Sequence, residues 1–325
     1  MSQCKFRTQN YTEFLSLVEK SDFEEVVTRE HKKIMDQKVE GTFNESMKPE
    51  NRGLNRYLDM LSFDHSRVAL PAEKNRGDYI NANYVDGFEY KKKFICTQAP
   101  LQQTAYDFWR MVWMHHTRII VMLCKIKENK KQCFPYWNET EGDNVVFGKF
   151  KITTTQVETH SSYIETSLLV TDGTSAIQEL THFCFTQWPD YGVPNDVMNL
   201  LNFVLTVKSA QKDVIRQLAQ EGCKIGEHPP PILVHCSAGV GRTGAYCLLD
   251  TAISQFDTCA TISIPSTLLN IRKQRYYCVF ILPQYFFCYR VMERYVNLKV
   301  KRESKTLVVN VATALLNKVL YLKEN

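Results

Sequence analysis

Ten residues, His235-Cys236-Ser237-Ala238-Gly239-Val240-Gly241-Arg242-Thr243-Gly244, concentrate the groups in this sequence that could do chemistry. They follow the short apolar run Pro231-Ile232-Leu233-Val234 and open a helical pattern that runs from Thr243 to Phe256. Three chemistries use a glycine-rich turn between a strand and a helix. Gly239, Gly241 and Gly244 fit the G-x-G-x-x-G of a dinucleotide-binding turn. Against that reading, Arg242 would sit inside the phosphate turn, and no carboxylate stands about 20 residues further on. The turn also falls three-quarters of the way along the chain. A phosphate loop of the Walker type ends in Gly-Lys-Ser/Thr, which is absent.

The third chemistry is Cys-x5-Arg, with Cys236 and Arg242 at its ends. A loop closing on a helix N-terminus aims its backbone N–H groups inward. The amides of Ser237, Ala238, Gly239, Val240 and Gly241 can then cradle a tetrahedral oxyanion, and the glycines let the backbone curl tightly enough to do so. The same positive potential favours the thiolate of Cys236, the form that acts as a nucleophile. Arg242 can clamp two phosphoryl oxygens with its planar fork, and Thr243 can donate a hydrogen bond to the sulfur as it leaves. Alone, Cys236 would read as one of eleven buried thiols and the glycines as a simple turn. The whole string favours the oxyanion cradle.

The elements that must position this loop can be read from periodicity. Phe14 to Met35 has apolar residues at helical spacing and predicts one or two surface helices. Residues 51–100 predict loops and short strands, including Asp78 to Tyr84. Thr104 to His115 reads as a helix, and Arg118 to Leu123, continuous and β-branched, as a buried strand. Residues 133–190 alternate and predict antiparallel strands, one of them Thr181 to Phe185. Residues 196–221, Ile264 to Lys273 and Gln284 to Leu298 read as helices. No linker appears before residue 298. The fold class is α/β, a mixed and twisted sheet flanked by helices in a single domain over residues 1–298. In the tail, residues 299–325, Val308, Val311, Ala312, Leu315, Val319 and Leu322 share one helical face and predict an amphipathic helix docked on the core. Lys299, Lys301, Arg302 and Lys305 leave contact with a membrane surface open.

Composition narrows the class. The 325 residues are 44% apolar and 23% charged, which excludes disordered, collagen-like and coiled-coil chains. The net charge of +5 is too weak to imply a nucleic-acid partner, yet suits an anionic substrate. No apolar run reaches the 18 or so residues of a membrane-spanning helix. The eleven cysteines contain no C-x-x-C pair, and Met1 to Asn10 is polar. Both point to free thiols in a reducing, cytoplasmic compartment. No metal and no organic cofactor is implied.

In these blocks the sequence resembles the tyrosine-specific protein phosphatases of the cysteine-nucleophile type, over roughly residues 10–298. His235 to Gly244 matches their phosphate loop, and Asn55-Arg56-Tyr57-Leu58-Asp59 their phosphotyrosine-recognition loop. Phe63 to Val68, Asp78 to Tyr84, Thr97-Gln98-Ala99-Pro100 and Asp107 to Trp113 match further blocks. Trp188-Pro189-Asp190-Tyr191-Gly192-Val193-Pro194 matches the mobile general-acid loop. The compact, cysteine-rich chain is similar to the virus-encoded members carried by parasitoid wasps.

The resemblance implies phosphotyrosyl proteins as partners and a role for each residue. Cys236 attacks phosphorus and becomes a phosphocysteine. Arg242 and the loop amides stabilise the equatorial oxygens. Asp190 protonates the leaving tyrosyl oxygen and then serves as base toward water. Trp188 and Pro189 act as the hinge of the acid loop. His235 is a hydrogen-bonding support, not an acid or base. Tyr57 stacks on the substrate ring and makes the pocket too deep for phosphoserine. Asp59 binds the peptide backbone, Tyr191 forms the lid face and Val240 part of the floor.

The chain departs from the family in a few places. A water-positioning glutamine is expected five residues after Arg275, where Phe280 stands; the second glutamine is present as Gln284. Phe280 cannot hydrogen-bond water but can add an apolar wall to the pocket. Lys127 and Gln132 replace a glutamate and a lysine ahead of Cys133, with Glu128 placed to supply the carboxylate, and Ala99 replaces a glycine. Two other readings follow. A chain with Phe280 could act as a phosphotyrosine trap with slow turnover. A phosphatase for phosphoinositides, or for both serine and tyrosine, would lack the recognition block around Tyr57.

Overall fold

The runs of sequence that alternate least end up deepest. In the computed structural model, which describes residues 6–73, 76–128, 131–189, 192–222 and 228–302, they form the middle of a nine-stranded sheet. In chain order its strands are Arg67–Ala69 (β1), Tyr79–Val85 (β2), Phe94–Thr97 (β3), Ile119–Met122 (β4), Asn144–Phe147 (β5), Phe150–Thr159 (β6), Tyr163–Thr171 (β7), Ile177–Phe185 (β8) and Ile232–His235 (β9). Across the sheet the order is β1-β2-β3-β9-β4-β8-β7-β6-β5. The central four, β3, β9, β4 and β8, pair in parallel and the flanks pair antiparallel. Every residue of β3, β4 and β9 is buried, as a parallel sheet covered on both faces requires. The strand expected at Thr181 to Phe185 is longer and has two roles. It is antiparallel to β7 and parallel to β4, so it joins the two halves of the sheet.

The helices longer than one turn are Tyr11–Val18 (α1), Phe23–Met35 (α2), Ala105–Met114 (α3), Val197–Gln220 (α4), Gly241–Cys259 (α5) and Ile264–Arg272 (α6). Residues 282–302 form α7, helical to the last described residue. One core lies between the sheet and α4, α5 and α7, and includes Phe94, Val234, Phe203, Tyr246 and Tyr289. The other lies under α3 and includes Ile95, Ile120, Leu233, Phe108 and Trp109. The helices expected on the surface over Phe14 to Met35 bury their apolar stripe. Phe14, Phe23 and Val27 are buried, and Phe23 packs 5.3 Å from Phe286 and 5.6 Å from Tyr289 on α7. Helix α5 begins at Gly241, two residues before the expected Thr243. Residues 303–325, which hold the expected amphipathic helix, lie outside the described residues.

Candidate active site

Cys236 sits where β9 ends, and α5 begins at Gly241. The turn between them is shaped by what surrounds it. Gly239 has φ +70°, and a Cβ there would lie 2.1 Å from the carbonyl oxygen of Thr97, so only glycine fits. Arg275, fully buried, donates from Nε to the Gly239 carbonyl at 3.1 Å and from Nη2 to the Ala238 carbonyl at 3.2 Å. Its Nη1 donates to Asn83 Oδ1 at 2.8 Å. Pulling these two carbonyls toward a guanidinium turns the peptide planes so that loop N–H groups are available on the opposite side. Arg242, in the first turn of α5, is buried and anchored by a 2.9 Å hydrogen bond to the Leu123 carbonyl at the end of β4. Cys236 itself is only 4% exposed.

Two further expected residues meet this loop. Thr243 and Gln284 are both buried, and Thr243 Oγ1 and Gln284 Oε1 have no hydrogen-bond partner among the described residues. The Gln284 amide lies against the loop: a Cβ on Gly241 would come 2.8 Å from its Oε1. Buried polar atoms without partners are rare, and each calls for an explanation such as a ligand or a reacting group.

The segment Asn55 to Asp59 is tied to the turn between β9 and α5 through the segment after β3. Arg56 donates from Nε to the Ala99 carbonyl at 3.0 Å and from Nη2 to the Pro100 carbonyl at 2.8 Å, and its amide donates to Gln98 Oε1 at 2.8 Å. The Ala99 amide in turn donates to the Ser237 carbonyl at 2.9 Å. The Tyr57 hydroxyl shares a 2.8 Å hydrogen bond with Ser237 Oγ. This fixes the Tyr57 ring as a wall beside the cradle, with Asp59 exposed next to it. Phe280 is 41% exposed, its ring edge-on to Tyr277 at 6.2 Å. Trp188 is buried and donates to the Gly192 carbonyl at 3.2 Å. Asp190 and Tyr191 lie outside the described residues, as do the side chains of Glu128 and Gln132.

A buried hydrogen-bonded relay lies behind Cys236. His235 Nδ1 lies 3.1 Å from the Cys236 carbonyl, which can only accept, so Nδ1 carries the proton. His235 Nε2 must then accept from the Tyr136 hydroxyl, 2.7 Å away. The Tyr136 oxygen is left to accept from His182 Nε2, also at 2.7 Å. All three side chains are buried. Burial pushes the basicity of His235 down to about 4 and, with His235 nearby adding to the effect, that of His182 to about 3. Both are neutral at pH 7, and His235 is hydrogen-bonded to the Cys236 carbonyl. Trp109 completes the relay by donating to the Tyr136 carbonyl at 2.8 Å.

Arg275, Asn83, Tyr136 and His182 escape a reading of the sequence. A signal exists for two of them. Asn83 stands in the strand-forming stretch Tyr79 to Val85, and His182 in Thr181 to Phe185, where an unpaired polar group would be costly. Each therefore needs a partner, though nothing local says which.

The parallel strands carry the loop at their C-terminal end, with an amide cradle closed on a helix N-terminus. That fold and loop are those of a phosphoric monoester hydrolase. The family model described as Protein-tyrosine phosphatase matches residues 51–294, and the chain belongs to that family. Tyrosine phosphatase H2 of Microplitis demolitor bracovirus (isolate Webb) is 84% identical over 325 residues, the whole of both chains. Tyrosine phosphatase-like protein J1 of the same virus is 39% identical over 297 residues, 91% of this chain and 98% of that one. Tyrosine-protein phosphatase non-receptor type 9 of Rattus norvegicus is 36% identical over 271 residues, 82% of this chain and 45% of that protein. The expected kinship with virus-encoded members is borne out.

Proposed function

We propose that the chain removes phosphate from tyrosine on proteins through a phosphocysteine intermediate, and that it does so in the cytoplasm of a host cell, where it interferes with tyrosine-phosphorylation signalling. The observation that carries the reading is the rigid phosphate loop, with Gly239 wedged against Thr97 and the carbonyls of Ala238 and Gly239 held by Arg275. The sulfur of Cys236 attacks phosphorus, the bond to the tyrosyl oxygen breaks, and Asp190 delivers a proton to that oxygen. Arg242 and the loop amides hold the three equatorial oxygens as charge redistributes. In the second step water attacks phosphorus, Asp190 takes its proton, and the sulfur leaves with a hydrogen bond from Thr243. Gln284 holds the water. Tyr57 sets the pocket depth, Asp59 binds the peptide backbone, and Tyr191 closes the lid that Trp188 hinges. The free thiols of the nine described cysteines support a reducing compartment.

The exposed phenyl ring of Phe280 favours one second reading, a phosphotyrosine trap whose phosphocysteine hydrolyses slowly. Rapid mixing with a phosphotyrosyl peptide separates the two. Repeated turnover with release of inorganic phosphate is expected of the enzyme. A single equivalent of tyrosine released, with no phosphate following, would establish the trap. No tyrosine released and no phosphotyrosyl peptide bound would overturn both.

A further inference from the structure

The turn between α6 and α7 is held in a conformation its residues disfavour. Tyr277 has φ +61° and Val279 φ +50°. A β-branched residue in the left-handed region is a genuine outlier, and such strain persists only where surrounding contacts over-determine it. At Val279 those contacts are explicit. Its amide donates to the Val240 carbonyl at 3.2 Å, inside the phosphate loop. Its own carbonyl accepts from His31 Nε2 at 3.0 Å. Arg272 Nη1 donates to the neighbouring Cys278 carbonyl at 3.0 Å. The turn also lies against Gly244 of α5, where a Cβ would come 2.8 Å from Cys278 Cβ and 3.1 Å from Val279 Cγ2.

His31 reaches this turn from α2, far away in sequence and outside the span matched by the family model. It is 7% exposed, and its ring packs 5.1 Å from Tyr285 of α7. The preceding Glu30 accepts from the hydroxyls of Tyr285 at 2.5 Å and Tyr289 at 2.6 Å, which fixes α2 on α7. The donor is therefore held by a rigid helix, not by a mobile side chain on the surface. Because a carbonyl can only accept, Nε2 carries the proton. Burial lowers the basicity of the ring, which keeps it a neutral donor.

We propose that His31 is a positioning residue for the phosphate loop: its hydrogen bond holds Val279 in the left-handed turn, and Val279 holds Val240. The inference rests on the phosphatase reading, which wild-type hydrolysis of p-nitrophenyl phosphate checks separately. The test uses the full chain, inorganic phosphate as a competitive inhibitor, and thermal melts as a folding control. His31→Phe keeps a ring against Tyr285 but donates nothing. His31→Gln places an amide nitrogen the same number of bonds from Cα as Nε2. Losing one buried hydrogen bond should weaken phosphate binding and kcat/KM by about threefold to tenfold in His31→Phe. His31→Gln should stay within about twofold of wild type. Should His31→Phe fail to fold, His31→Asn, whose amide is one bond too short, replaces it with the same expectation. A third arm uses Val279→Gly, which is unstrained at this φ. In that background His31→Phe should add less than about twofold. Equal losses in the Phe and Gln variants, no loss in either, or an undiminished effect of His31→Phe beside Val279→Gly would each overturn the proposal.

Discussion

The relay behind Cys236 makes stability depend on acid in a calculable way. His182 and His235 are fully buried and neutral in the fold, with basicity pushed down from 6.5 to about 3 and about 4. On unfolding each regains its ordinary affinity for a proton. The unfolded state therefore binds more protons as pH falls below about 6.5, and the native state loses stability until its own histidines protonate. At about 1.4 kcal/mol per pH unit for each group, a drop to pH 5 costs about 2 kcal/mol per histidine and about 4 kcal/mol for the pair. That is a large share of the stability of an ordinary domain. Most carboxylates titrate below this window. His115, lowered by burial to about 4, and His31, also lowered by burial, act in the same direction, and Glu30, raised by burial, acts with the opposite sign; all three are unchanged by the comparison that follows. Urea unfolding at pH 7.5, 6.5, 5.5 and 5.0, roughly spanning the ordinary histidine range, measures the slope. His182→Gln can still donate to Tyr136 but does not titrate, so its loss between pH 7.5 and 5 should be about 2 kcal/mol smaller than that of wild type. Equal losses in the two proteins would refute the assignment of the acid sensitivity to this pair.

Four further outcomes are expected. Cys236→Ser should abolish turnover yet still bind phosphotyrosyl peptide, because the bonds that shape the cradle do not involve the thiol; measurable activity in the purified variant removes Cys236 from the nucleophile role. Asp190→Ala should slow aryl phosphates with poor leaving groups by about 10²–10⁴-fold and spare those with good ones, and equal losses for both sink the assignment. Gly239→Ala, with its Cβ driven against the Thr97 carbonyl at φ +70°, should displace the cradle and cost on the order of 10²-fold in kcat/KM; a folded variant at wild-type rate contradicts the geometry. Phe280→Gln should raise the steady rate, and wild type should show a burst of phenol near one equivalent; if there is no burst and no gain, Gln284 alone suffices to hold the water and the trap reading loses its support.

The proposed oxyanion-binding part of the site is local, which is why the sequence declares it. The proposed nucleophile Cys236, the loop amides, Arg242 and Thr243 lie within His235 to Gly244, and a strand followed by a helix is enough to bring them together. The parallel strands β3, β4 and β9 are legible for a similar reason, since residues buried on both faces leave continuous apolar runs. The expected start of α5 at Thr243 missed by two residues because Gly241 is a poor helix former and Arg242 adds nothing to the apolar periodicity, while the fold uses them as the first turn.

What the tertiary structure alone decides is which polar group satisfies which. Arg275 meets Asn83 across 192 residues of sequence, Tyr136 meets His235 across 99, and His31 meets Val279 across 248. Each of these groups is buried and so must find a partner, but the need is all that its neighbours in sequence express. The choice belongs to sheet order and helix packing, which place β2, β9 and the turn after α6 around one loop. The left-handed backbone at Val279 belongs there too, because nothing in a valine asks for that conformation and only the contacts from Val240, Arg272 and His31 impose it.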